Sequence, residues 1–184
     1  MREEEAIVLD FLPNGYPFEE ATALRTPIVQ AIGKSNFTLL ELVPKKGVYL
    51  NPEEEVYIGE GKREKIMHIK GKLDTKKLTQ TAKSVLEHAV EKLVTQNEKR
   101  FVQFFNTAKP LSTRMHQIEL LPGLGKKHMW QVIEEREIRP FTSFEDIKER
   151  ISLLPDPKKL IVKRILKEFE GKQQHTLFVD LTPP

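Results

Sequence analysis

The chain has 184 residues, enough for one ordinary domain or two small ones; 39% are hydrophobic, 31% are charged and none is cysteine. The missing cysteines exclude disulfides, thiolate catalysis and cysteine-ligated zinc, and suit a reducing compartment. The net charge of +3 hides a split: residues 1–60 carry 5 basic and 11 acidic side chains, residues 61–184 carry 25 and 16, so the second part suits a polyanion.

The start, Met1-Arg2-Glu3-Glu4-Glu5, is acidic and lacks the basic-then-apolar order of a signal peptide. No apolar run approaches the ~20 residues of a membrane span, so a cytoplasmic protein without membrane contact is expected. Glu5 to Leu12 reads as a strand ended by Pro13-Asn14-Gly15, and residues 14–27 read as irregular. Pro27 to Ile32 and Asn36 to Pro44 are the next two strands, around a Gly33-Lys34-Ser35-Asn36 loop. Glu55 to Gly59 and Lys65 to Gly71 complete the set. Five short strands in this space predict a small, closed or nearly closed barrel, which hides strand edges. The barrel looks OB-like, and an SH3-like barrel would give the same pattern. Lys62, Arg63, Lys65, Lys70 and Lys72 crowd its last strand, with Tyr49, Tyr57 and Phe37 in or beside the strands. Basic groups that track phosphates and aromatics that stack on bases are how such barrels hold single strands; the same tyrosines would also serve as packing.

Asp74 is placed to cap a helix. From Leu78 to Val94 apolar residues recur every three or four positions, Thr95-Gln96-Asn97 interrupts them, and Phe101 to Phe105 resume in a second helix running to about Ala108. Such a stripe predicts a packing wall between the barrel and the C-terminal part of the chain.

Next comes Leu120-Leu121-Pro122-Gly123-Leu124-Gly125-Lys126-Lys127. Upstream, Leu111, Met115 and Ile118 recur at helical spacing; downstream, Met129, Trp130 and Ile133 do so. Pro122 ends the first helix, and Gly123 and Gly125 permit a tight reversal with positive φ. The second helix is expected to start near Lys126, its unpaired N–H groups and the two lysines forming a phosphate site. His128 is placed to supplement the contact. This stretch resembles the helix-hairpin-helix family of nucleic-acid-binding elements. The resemblance implies binding to the sugar-phosphate backbone with little sequence preference, through Gly123, Leu124, Gly125, Lys126, Lys127 and His128.

A weakened copy lies further on. Ile118 to Pro122 correspond to Ile151 to Pro155, and Lys126-Lys127 to Lys158-Lys159. Between the copies, Arg139-Pro140 closes one helix and Ser143-Phe144-Glu145-Asp146 opens another. Asp156 and Pro157 replace the glycine tip. Proline has no N–H, and the Asp156 carboxylate caps the helix where a phosphate would lie. The second copy is therefore expected to be mainly structural. In the tail, Thr176 to Leu181 is β-rich and suggests a terminal strand docked on a sheet edge.

No catalytic constellation is visible. A P-loop reading fails because Leu120 stands where glycine is needed and Lys127 where Ser or Thr is needed. The five histidines, at 68, 88, 116, 128 and 175, show no zinc spacing. No catalytic residue, metal or cofactor is expected.

The order of OB-like barrel, helical connection and tandem helix-hairpin-helix resembles an uncharacterised, mostly archaeal family of predicted nucleic-acid- or RNA-binding proteins. The expected fold is thus α+β: residues 1–72 an OB-like barrel, 73–109 a helical connector, 110–172 a tandem helix-hairpin-helix and 173–184 a tail. The expected function is non-catalytic binding of nucleic acid, with RNA favoured over DNA. A DNA-repair or nuclease-type protein with its site in the barrel, or a protein-interaction adaptor, would be the alternatives.

Overall fold

The computed structural model describes residues 2–17 and 25–179. Part of the irregular stretch expected over 14–27, and the end of the strand expected over 176–181, lie outside the described residues. The chain divides into two compact units, Met1–Ala89 with Phe169–Pro184, and Val90–Glu168.

The first unit is built on five strands: β1 (Glu5–Leu12), β2 (Ile28–Gly33), β3 (Leu39–Pro44), β4 (Glu55–Tyr57) and β5 (Ile66–Lys72). They form one antiparallel half-barrel sheet in the order β4-β1-β2-β3-β5. The register shifts between Val8 and Asp10 in β1, and at two places where β3 meets β5. Such bulges bend the strands and increase their twist. Ala6, Val8, Val29, Ala31, Leu40 and Leu42 anchor the core on one face, with Leu50, Val56, Ile58 and Ile66 packed among them. The barrel, expected to be closed or nearly closed, is a half-barrel: β4 and β5 are the two edges and are not hydrogen-bonded neighbours. The edges are protected another way, since β4 has only three residues and β5 carries lysines.

Every residue of β2 and β3 is buried, so both faces of the sheet centre are covered. Gln30 shows what covers the second face: its amide donates to Lys77 O (2.7 Å) and accepts from Thr79 N–H (3.0 Å). Asp74 caps only a 3-10 turn, Thr75–Lys77. Thr79 caps the long helix α1 (Gln80–Gln96), accepting at its hydroxyl from Ala82 N–H at 3.0 Å. The β2–β3 loop is held by Glu3, whose buried carboxylate accepts from the N–H groups of Ser35 and Asn36, each at 2.8 Å.

The second unit holds α2 (Glu98–Thr107), a two-stranded ribbon of β6 (Pro110–Ser112) and β7 (Met115–His116), and three helices, α3 (Lys126–Ile138), α4 (Phe144–Arg150) and α5 (Pro157–Phe169). The helix expected ahead of the first hairpin is absent. Leu111 and Met115 lie in the ribbon, and only the 3-10 turn Gln117–Leu120 precedes the hairpin. Apolar residues spaced four and three apart fit a helix, but Pro110 and the Ser112-Thr113-Arg114 turn favour a ribbon, and nothing in the spacing decides between them. The tail forms no strand over its described part, residues 170–179, although Val179 is buried.

Candidate nucleic-acid interface

The first hairpin turns at Leu121 to Gly125. Gly123 has φ +86° and Leu124 is buried beneath the tip. Gly125 is the N-cap of α3 with φ −108°, so the positive φ expected of it is not found. Its contribution is the side chain it lacks. No side chain caps α3, and a Cβ added at Gly125 would meet nothing within 4 Å. The N–H groups at the start of α3 therefore face open space at the positive end of the helix dipole.

Lys126 lies beside an acid. Its ammonium donates to Arg114 O at 3.1 Å and to Glu119 Oε1 at 3.3 Å. Lys127 is exposed, His128 half-buried. Neither Lys127 nor the Arg114 guanidinium has an ion-pair partner among the described residues.

Beside this tip runs a groove of about 510 Å³ between the ribbon and α3. From α3 come Trp130, Ile133 and Arg136; from the ribbon and its turn come Arg114, Met115 and His116. Trp130, at helical spacing with Met129 and Ile133, is 56% exposed, and Met115 is 41% exposed. His116 is buried and caps the 3-10 turn: its Nδ1 accepts from Ile118 N–H at 3.2 Å while Glu119 accepts from His116 N–H at 2.8 Å. Burial, reinforced by the nearby Arg136 guanidinium, holds the imidazole below its usual pKa against the opposing pull of Glu119. Arg136 donates to Phe105 O (3.1 Å) and Ala108 O (3.0 Å), closing the end of α2 and fixing α3 against it.

The second hairpin shares the turn geometry and not the register the sequence suggests. Leu154 N–H donates to Ile151 O as Leu124 N–H does to Leu121 O. Leu153, with φ +59°, stands where Gly123 stands. Asp156 accepts from the N–H groups of Lys158 (2.9 Å) and Lys159 (3.3 Å), so this helix start is closed by its own carboxylate. The two hairpins are tied together by Arg164 of α5. It donates to Leu120 O at 3.1 Å and pairs with Glu168 at 2.8 Å, both side chains being buried.

The cations expected in the sheet are largely engaged within it. Lys65 pairs with Glu54, whose carboxyl it holds below the usual range. Lys70 lies 3.4 Å from Glu41, and Arg63 Nε donates to Gly59 O at 2.8 Å. Lys72 also has a partner, while Lys62 is exposed. Phe37 is fully buried and unavailable for stacking. Tyr57 folds over its own loop, its hydroxyl accepting from Gly61 N–H at 3.0 Å. Tyr49 is 71% exposed and meets Phe11 edge-on with centroids 4.9 Å apart. Among the described residues no group of three His, Asp or Glu side chains could hold a metal ion, and no helix is long and apolar enough to cross a membrane.

Sequence reasoning missed Arg114, Met115 and His116. One signal was available, the His116-Gln117-Ile118-Glu119 spacing of a capping box.

Residues 2–180 match a family described as "Protein of unknown function (DUF655)". The uncharacterized protein MJ0038 of Methanocaldococcus jannaschii is 46% identical over 179 residues, 96% of this chain and 80% of that one. The crystal structure of Af1531 from Archaeoglobus fulgidus, also described as DUF655, is similar with a TM-score of 0.85 at 45% identity, covering 97% of this chain and 100% of that chain.

Proposed function

The chain belongs to the DUF655 family, and from its own geometry we propose that it binds nucleic acid without cleaving it, RNA in preference to DNA. The observation that carries this reading is the bare start of α3. Its N–H groups are uncapped, Gly125 leaves them open, and Lys126 and Lys127 stand beside them. A phosphate there would gain backbone hydrogen bonds, dipole attraction and two cations at once. In this reading residues 110–172 are a tandem helix-hairpin-helix whose first helix is reduced to the 3-10 turn Gln117–Leu120; the first copy binds and the second, closed by Asp156, supports it. The sheet is read as OB-like, since β4-β1-β2-β3 is the Greek-key order, with Tyr49 and Lys62 as its available contacts.

Binding of labelled single-stranded RNA, single-stranded DNA and duplexes across a salt series tests the proposal. Affinity should fall linearly with salt on a log–log scale. Replacing Lys126 and Lys127 by alanine should flatten the slope by about one unit per lost phosphate contact. No salt-dependent binding to any strand would overturn the reading in favour of a protein adaptor. Metal-dependent cleavage of the bound strand would overturn its non-catalytic part.

A further inference from the structure

We infer that the groove between the β6–β7 ribbon and α3 takes a single unstacked nucleobase of the strand whose phosphate lies on the first hairpin. The inference rests on the phosphate reading above and narrows the ligand to unpaired nucleic acid. Lys126 and Trp130 are four residues apart on α3, so they share a face one turn apart, about 6 Å along the axis. Lys126 belongs to both the hairpin tip and the groove wall. A nucleotide seated by its phosphate at the helix start therefore has its base beside Trp130.

The groove is built for such a group. Its volume, about 510 Å³, lies within the range of small-ligand sites. Trp130 offers an exposed aromatic face, and Met115 on the opposite wall offers a polarizable thioether. A tryptophan and a methionine exposed on one groove are unexpected on a surface that needs only solubility. Charge agrees as well. Arg114, Lys126 and Arg136 line the groove against one acid, Glu119, which is already engaged by Lys126 and the His116 N–H. With its Nδ1 accepting from Ile118, neutral His116 carries its proton on Nε2, as a donor for a base edge. A base inside a duplex could not enter, because its face is covered by its neighbours.

Trp130 is the one tryptophan of the chain, so indole fluorescence, excited beyond the tyrosine absorption band, reports this groove alone. The full-length protein is titrated with an oligoadenylate of about a dozen nucleotides, with an abasic strand of the same length, and with the blunt duplex. The oligoadenylate should quench Trp130. The abasic strand should bind with a similar salt slope and leave the fluorescence unchanged, as should the duplex. By anisotropy of labelled strands, Trp130→Ala should weaken oligoadenylate binding by roughly 5- to 100-fold and leave abasic binding unaltered, while Trp130→Phe restores most of the loss. Circular dichroism should show both variants folded, since the indole is exposed. If the oligoadenylate binds without quenching, or if Trp130→Ala weakens both strands equally, the nucleobase site is wrong and the phosphate reading survives. Equal quenching by the duplex also overturns it. If no strand binds at all, both readings fall together.

Discussion

Gly123 and Leu153 occupy the same left-handed position in two hairpins, and only one of them is the residue that position favours. A β-carbon there costs roughly 1–2 kcal/mol, offset in part by the greater chain entropy of glycine. Gly123→Ala should therefore lower stability by about 1 kcal/mol, and Leu153→Gly should raise it by up to about 1 kcal/mol. Urea midpoints at constant slope would read both, and because Leu153 is 86% exposed, no packing is lost. The sequence displayed both glycines of the first tip without showing that Gly123 needs the special φ and Gly125 only the open space. His116 gives a second prediction. Its folded pKa is depressed, so its contribution to stability is complete above the unfolded value, about 6.5, and is lost as pH falls through the folded value. Protonation of Nδ1 would also break the cap on Ile118. Melting temperatures from about pH 8 to about pH 5 should fall more steeply in the wild type than in His116→Asn, which keeps an oxygen for the cap and cannot titrate.

The starts of α3 and α5 differ at the cap, Gly125 against Asp156, and at the first helical residue, Lys126 against Pro157, which has no N–H to offer. Asp156 stabilises α5 and occupies the anion position; Gly125 does neither for α3. Gly125→Asp should raise thermal stability by a few tenths of a kcal/mol and at the same time weaken nucleic-acid binding. Asp156→Ala should cost about 1 kcal/mol of stability and leave affinity nearly intact. Stability and affinity moving together in either variant would refute the asymmetry. Glu168→Gln tests the tie between the hairpins. It removes the negative charge that faces the buried Arg164 guanidinium, at an expected cost of about 3 kcal/mol. Caps of this kind were legible in the sequence because Ser143, Asp156 and their neighbours act within one turn. The ribbon ahead of the first hairpin was not, because Leu111, Met115 and Ile118 keep a helix's spacing although the first two lie in a ribbon that turns at Thr113-Arg114.

At the scale of the whole chain, counting charges located the basic half and overstated what it can offer. Residues 61–184 carry a net +9, yet Lys65 and Lys70 of the sheet lie against Glu54 and Glu41, acids from the first sixty residues. Those partners are separated by 11 and 29 positions along the chain (65−54 and 70−41), so pairing across the sheet is invisible to a reading by segment. The five strands themselves were legible, since each has its own turn signals. Their failure to close was not, because closure depends on how far a three-residue β4 can reach. Counterion release offers a test of which lysines remain available. A lysine already neutralised by a carboxylate releases few counterions from a bound strand, so replacing it should hardly change the salt dependence. Lys65→Ala with Lys70→Ala is therefore expected to leave the log–log slope unchanged, whereas Lys127→Ala alone should reduce it by about one unit. Lys126→Ala should fall between, because Glu119 holds its ammonium at 3.3 Å on an exposed rim where such pairs contribute about 0–1 kcal/mol. A slope that drops as much with the sheet lysines as with Lys127 would mean that the strand displaces Glu54 and Glu41, and that the sheet grips phosphates as firmly as the hairpin.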